Sequence, residues 1–250
     1  MTLRPGDELS GKVALVTGAG RNIGRAIARS LAAGGASVMI NANTSEDAAK
    51  ETVGLIESAG GRAAYHLADV SNPAAVDSLI ADTVARFGRL DFLVNNHTLR
   101  ARAPFDEMTY EQWREVTSVV LDGAFLCCRA VVPHMKAAGG GAIVNIGGQA
   151  AHQGARQGAH LGAGKLGVIG MSKAMALDLA PYNITVNTVV PFVVDTLRPD
   201  GELVHQNAST PLGRLGKMEE VAAMVRMLCG PDVRYITGQS IFMNGGALMP

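Results

Sequence analysis

The stretch from Val13 to Ala28 limits this chain more than any other: Val-Ala-Leu-Val-Thr-Gly-Ala-Gly-Arg-Asn-Ile-Gly-Arg-Ala-Ile-Ala. An apolar run that reads as a buried strand stops at Thr17. Gly18, Gly20 and Gly24 then fill a turn, and an alanine-rich helical pattern follows at once. Glycine in such a turn lets the chain reverse tightly, brings backbone N–H groups against a pyrophosphate, and seats the new helix close on the sheet. The first turn of that helix offers unpaired N–H donors and a partial positive charge, which suit an anion. Taken alone, the turn could equally be a tight strand-to-helix connection and nothing more.

The rest of the chain repeats the pattern. Apolar runs at Val38–Asn41, Arg62–Ala68, Leu90–Val94, Ala142–Ile146, Thr185–Val190 and Gln239–Met243 alternate with helical stretches. One helix follows the cap cluster Asn43, Thr44, Ser45, another starts at Ser71-Asn72-Pro73, and others run over Thr109–Met135, Leu161–Leu179 and Lys217–Leu228. Such alternation predicts an α/β fold: one doubly wound parallel sheet with helices on both faces. No linker, repeat or composition shift divides residues 1–250, so a single domain is expected.

Bulk properties exclude several classes. The formal net charge is zero, which gives no electrostatic case for nucleic acid or an acidic membrane surface. Met1–Lys12 carries Arg4, Asp7, Glu8 and Lys12 without an apolar core, unlike a signal or transit peptide. No uninterrupted apolar run reaches the roughly 18 residues of a membrane span. Cys127 and Cys128 are adjacent in a helical pattern, poorly placed for a disulfide or a metal site. A soluble cytoplasmic protein with no bound metal is the expectation.

Thr17-Gly18 with Gly24, Asp69-Val70, Asn95-Asn96, Ile143-Val144-Asn145-Ile146, Lys165, Asn187, Pro191 with Thr196, Pro211-Leu212-Gly213-Arg214, and Thr237-Gly238-Gln239 with Gly245-Gly246 occur in an order and spacing that resemble the short-chain dehydrogenase/reductase family, notably its 3-oxoacyl-(acyl-carrier-protein) reductase-like members. The resemblance covers essentially the whole chain. It implies a Rossmann-type fold, a nicotinamide dinucleotide, a small-molecule substrate and a homotetramer. It places Gly18, Arg21, Ile23 and Gly24 at the pyrophosphate, Asp69 and Val70 at the adenine, and Asn95 near the inner ribose. Lys165 would hold the nicotinamide ribose, and Val194 and Thr196 would meet the carboxamide. Asp69 could instead cap the next helix, Asn95 could be a turn residue and Thr196 could be plain loop.

Two departures stand out: Asn22 replaces the middle glycine of the turn, and Phe192 replaces the glycine favoured after Pro191. Asparagine tolerates left-handed backbone better than most residues. At the end of the second strand, where the family's NAD users carry an acid, this chain has Ala42 followed by neutral Asn43 and Thr44. With no carboxylate to repel a 2′-phosphate and Arg21 available to pair with one, NADP(H) is expected over NAD(H).

The family's chemistry rests on a Tyr-x-x-x-Lys pair, a serine and an asparagine. Counting from Lys165 puts Leu161 at the tyrosine position, Gly148 at the serine and Val120 at the asparagine. The oxyanion support and the acid must therefore come from elsewhere. Gln149, His152, Gln153, Arg156, Gln157 and His160 crowd the following loop, and His97 follows Asn95-Asn96. His160, His97 and, less directly, His152 are the candidate donors, because histidine titrates near neutrality. His160 lies about 100° around the helix from Leu161, so it reaches a substrate only if the helix starts late or bends. Each could instead make a helix-start, core or surface hydrogen bond. Gly162, Ala163, Gly164, Gly167 and Gly170 suggest close packing on another helix, and Arg198–Thr210 falls where the family has its substrate lid. The expected function is an NADP(H)-dependent oxidoreductase acting on a carbonyl, imine or conjugated alkene with a non-standard donor. A catalytically silent coenzyme-binding subunit and a redox-neutral lyase or isomerase are the rivals.

Overall fold

The computed structural model describes residues 6–197 and 210–249. Strands β1 (Val13–Val16), β2 (Ser37–Ala42), β3 (Arg62–Leu67), β4 (Phe92–Asn95), β5 (Gly141–Ile146), β6 (Ile184–Pro191) and β7 (Ser240–Met243) form one parallel sheet in the order β3-β2-β1-β4-β5-β6-β7. The strand order reverses between β1 and β4, and the loops leaving those two strands part there to open a crevice at the carboxyl edge.

Burial explains why the strands read as unbroken apolar runs: every residue of β1, β4, β5 and β6 is buried. Ala14 and Val16 face one way, packing with Ile27 and Leu31 of α1 (Asn22–Ala33) and Val221 and Val225 of α8 (Met218–Cys229). Val13 and Leu15 face the other, joining Leu79 and Ile80 of α3 (Pro73–Phe87) and Cys127 and Val131 of α5 (Gly123–Ala137). Edge strand β3 stays half exposed beside α2 (Glu46–Glu57).

Local start signals work unevenly. Asn72 caps α3 by accepting from Ala75 N at 3.2 Å with Pro73 in the first turn, and Thr109 opens α4 (Tyr110–Thr117) with a reciprocal capping box to Gln112. Ser45 occupies the cap of α2, yet its side chain makes no capping bond.

The long helix expected over Thr109–Met135 is α4, a π-helical turn at Ser118–Asp122 and then α5. Contrary to expectation, this stretch, Tyr110–Ala137, is long and apolar enough by composition to cross a membrane. Arg114, Glu115, Asp122 and Arg129 lie within it, and α5 packs on α3 and β4, so it serves as a core helix. The π turn presses Val120 and Leu121 onto α7 (Ala159–Leu179), where a Cβ on Gly164 or Gly167 would sit 3.0 and 3.1 Å from them. Two of the small residues of α7 thus serve packing within the chain. Gly162 and Gly170 face open space. Residues 198–209 of the expected lid lie outside the described residues.

Candidate active site

Thr17 links the two loops of the crevice. Its Oγ1 accepts from Asn96 N at 3.0 Å, while Asn96 Nδ2 donates to the carbonyls of Thr17 and Gly18 at 3.1 and 2.9 Å. Gly18 holds φ +60°, and a Cβ on Gly24 would fall on the Gly18 carbonyl and within 2.5 Å of Asn96 Nδ2. Both positions are closed to other residues. Asn22 sits at φ +48°, the left-handed conformation that its family glycine would supply. Its carboxamide also reaches across the crevice, donating from Nδ2 to Leu197 O and accepting from Leu197 N, both at 3.0 Å. Helix α1 carries no side-chain cap and no acid in its first turn, so its N–H donors are left for an anion. Arg21 is exposed at the cap, while Arg25 braces the turn through Gly20 O and a bidentate pair with Glu51.

The other anticipated coenzyme residues divide in two. Ile23, Val194 and Thr196 line a cavity at the carboxyl edge, and Lys165 forms part of its wall. Asn43 is exposed just past β2. Asp69 is exposed and tied to Ser71 N and Oγ at 2.9 and 2.7 Å, while Asn72, not Asp69, caps α3. Val70 is buried against Gly123. Asn95 is buried and turns its side chain inward, giving Nδ2 to Asn145 Oδ1 at 2.8 Å.

The cavity measures about 650 Å³ between the loops after β4, β5 and β6 and the start of α7. Lys165 is 9% exposed and donates from Nζ to Ile146 O at 2.7 Å. Burial, and then the positive charge of Arg100, lower its pKa to about 8. Gly148 and Leu161 line the same space, and nothing lies within 4 Å of where a Gly148 Cβ would be. Val120 is instead buried in the π turn against Gly164.

The anticipated histidine donors are not brought to this cavity. His97 points inward, its Nδ1 2.7 Å from Thr17 Oγ1 and its Nε2 beside Gly123. Burial, with Lys165 adding to it, pushes its pKa down to about 3, so it is neutral at physiological pH and holds no acidic proton to give. His160 is fully buried, because α7 begins at Ala159 and thereby turns it inward from the second helical position; its Nδ1 accepts from Leu161 N. His152 packs edge-on to Phe242 at 4.7 Å. The polar groups that do line the cavity include Asn96, Thr98 and Gln149 with three arginines, Arg100, Arg102 and Arg156. No local pattern marks Arg100 and Arg102; their place in the loop leaving β4, at the strand-order reversal, is the signal that finds them.

A parallel sheet with a glycine-rich turn at its point of reversal and a cavity at its carboxyl edge defines a doubly wound Rossmann-type fold. A family profile described as enoyl-(acyl carrier protein) reductase matches residues 18–247. The chain is 40% identical over 243 residues to a 3-oxoacyl-(acyl-carrier-protein) reductase of Synechocystis sp., covering 96% of this chain and 98% of that one. It is 36% identical to the enzyme of that name from Escherichia coli, with the same coverage. Among solved structures, a putative short-chain alcohol dehydrogenase from Sinorhizobium meliloti superposes with a TM-score of 0.89 at 34% identity, over 97% of this chain and 98% of that one. Acetoin dehydrogenase YohF from Salmonella typhimurium gives 0.87 at 36%, over 94% and 96%. The chain belongs to the short-chain dehydrogenase/reductase family.

Proposed function

We propose that this protein is an NADP(H)-dependent oxidoreductase acting on a small carbonyl, imine or conjugated substrate, with Lys165 itself as the proton donor. The carrying observation is that Lys165 is the one side chain lining the cavity, among the described residues, whose proton is labile near neutral pH. The histidines serve the scaffold.

Gly18, Ile23, Gly24 and the open first turn of α1 fit a pyrophosphate, since the uncapped first turn leaves its N–H donors free and the two glycines allow the tight turn that brings them together. Arg21 and Asn43, exposed beside the buried end of β2, suit a 2′-phosphate. Asp69 and Val70 would border the adenine and the Asn95 backbone the ribose. Val194 and Thr196 would meet the nicotinamide carboxamide and Lys165 its ribose. When bound, the nicotinamide supplies or accepts a hydride. Lys165 holds a proton at Nζ and gives it to the oxygen or nitrogen that gains the electron pair, and the amine is then reprotonated from solvent. Ile146 O, taking one N–H, fixes where the others point. Exposed Phe125 on α5 and Leu166 and Leu177 on α7 support assembly through those helices into a homotetramer, which sedimentation tests.

The test is NADPH oxidation across a panel of ketones, imines and enones. A reduction rate that falls about tenfold per pH unit above pH 8, and survives His97→Ala with His160→Ala, is expected. Gly148→Ser with Leu161→Tyr should raise ketone reduction by about 10² or more, the scale of an acid plus an oxygen-holding hydroxyl. A panel without any turnover, in protein that binds NADPH, would favour the second reading. That reading, a silent coenzyme-binding subunit, is motivated by the lack of any tyrosine or serine around the described cavity.

A further inference from the structure

The cavity wall has an unusual charge. Arg100 and Arg102 reach it from the loop after β4, Arg156 from the loop before α7, and Lys165 lines it too, while no aspartate or glutamate lines it. Among the described residues none of the three arginines is paired with a carboxylate; each is exposed at the cavity's mouth. The two loops are laced together, Ala103 N donating to Gln157 O at 3.1 Å and Arg102 Nη1 to Arg156 O at 3.2 Å, so the three arginines border one cavity from two loops held side by side. Arg100 is near enough for its charge to act on Lys165. Like charges held together beside apolar walls repel, and the repulsion is relieved by an anion. Of the residues Gly18–Gly24, only Ile23 lines this cavity, which separates the arginines from the turn suited to the coenzyme's pyrophosphate. The lining also includes apolar Ile146, Leu161, Phe192 and Val193.

We propose that the substrate carries an anionic group, a carboxylate or a phosphate, gripped by Arg100, Arg102 and Arg156, with its reacting carbon against the apolar lining near Lys165. Guanidinium groups match both anions through paired N–H donors. The inference rests on the oxidoreductase reading for the reacting end and deepens it.

The test first measures NADPH binding by calorimetry in the wild type and in Arg100→Gln/Arg102→Gln/Arg156→Gln; absence of binding to wild type defeats the oxidoreductase reading on its own. On coenzyme-saturated protein, or on free protein if none binds, a series of 2-, 3- and 4-oxo acids and their phosphonate analogues is then titrated against the corresponding methyl esters. At least one acid or phosphonate should bind about ten- to a hundredfold tighter than its ester, the range of a charge-assisted hydrogen bond. The triple variant should erase that preference and leave NADPH affinity within twofold. A preference for acids identifies a carboxylate, and a preference for phosphonates a phosphate. The proposal fails if no panel member binds, if esters bind as well as acids, or if the preference survives the triple substitution. It fails also if the variant instead loses NADPH, which assigns the arginines to the coenzyme.

Discussion

Glycine does opposite work at the two halves of the crevice. In the turn between β1 and α1 it is required by the backbone: Gly18 is left-handed, and any side chain on Gly24 would collide with the Gly18 carbonyl. At Gly148 after β5 and at Gly162 in the first turn of α7 nothing lies within 4 Å of an added Cβ, so there glycine reflects the absence of a side chain and not a limit on space. One region preserves a shape that only glycine permits. The other has room at Gly148 and Gly162 that a side chain could occupy. The backbone therefore limits the two regions differently, and substitutions in them should act differently.

The most direct test of this contrast, read in coenzyme affinity, is at Gly24. Gly24→Val should lower NADPH affinity by about five- to 150-fold, since overpacking of about 1–3 kcal/mol falls directly on the cradle. Gly148→Ser should leave that affinity within about twofold, because its Cβ enters open space. Calorimetry on both variants decides the matter: equal losses would mean that the two glycines are not different in kind.

Lys165 supplies the next test, since it belongs to both halves. Lys165→Met should reduce turnover by about 10² to 10⁴, the contribution of a positioned acid. The same change removes an ammonium that is costly to bury, and melting temperature should rise by about 2–4 °C for each kcal/mol regained. The Ile146 carbonyl, left without this donor, offsets part of the gain. A variant that loses stability together with activity would make Lys165 a structural strut and remove it from the chemistry.

How much of this could be read from the chain depends on whether the cause is local. Buried parallel strands are apolar runs by necessity, and Pro73 with Asn72 announces α3, so the layout is legible. The left-handed Asn22 is legible too, because its position in a known turn demands such geometry. The π turn is not, since Ser118–Asp122 keeps a helical composition and the widening becomes apparent only against Gly164 and Gly167. Proximity in sequence also misleads about direction. His160 neighbours Leu161 and His97 neighbours Asn96, yet helix phase and the Thr17 hydroxyl turn both rings into the core. Arg100, Arg102 and Arg156 border one cavity from two loops that meet only in the folded chain.

The burial of His97 has a measurable signature. Its pKa falls from the ordinary 6.5 to about 3 on folding. Between those values the unfolded chain binds a proton that the folded one does not, so stability declines as pH drops from about 6.5 towards 3. His97→Ala removes this contribution, and its melting temperature between pH 7 and pH 4.5 should fall less steeply than that of the wild type. Parallel curves would place His97 in water, and would reopen it as a donor at the cavity.

The smallest expected effect lies where the two halves touch. Asn22→Gly deletes the two hydrogen bonds to Leu197, each worth about 0.5–1.5 kcal/mol at most, and relieves a left-handed backbone that glycine adopts freely. These terms oppose each other, so global stability should change by less than about 1 kcal/mol. The geometry concentrates the consequence elsewhere: Leu197 follows Thr196, which lines the cavity with Ile23, so the Asn22 clasp closes the crevice between the phosphate turn and the loop beyond β6. NADPH should dissociate a few-fold faster from the variant in stopped-flow displacement while its melting temperature holds. An unchanged dissociation rate would show that the clasp is incidental and that the turn acts alone. A faster rate would show that a residue standing in for glycine has gained a role that glycine, lacking a side chain, could not perform.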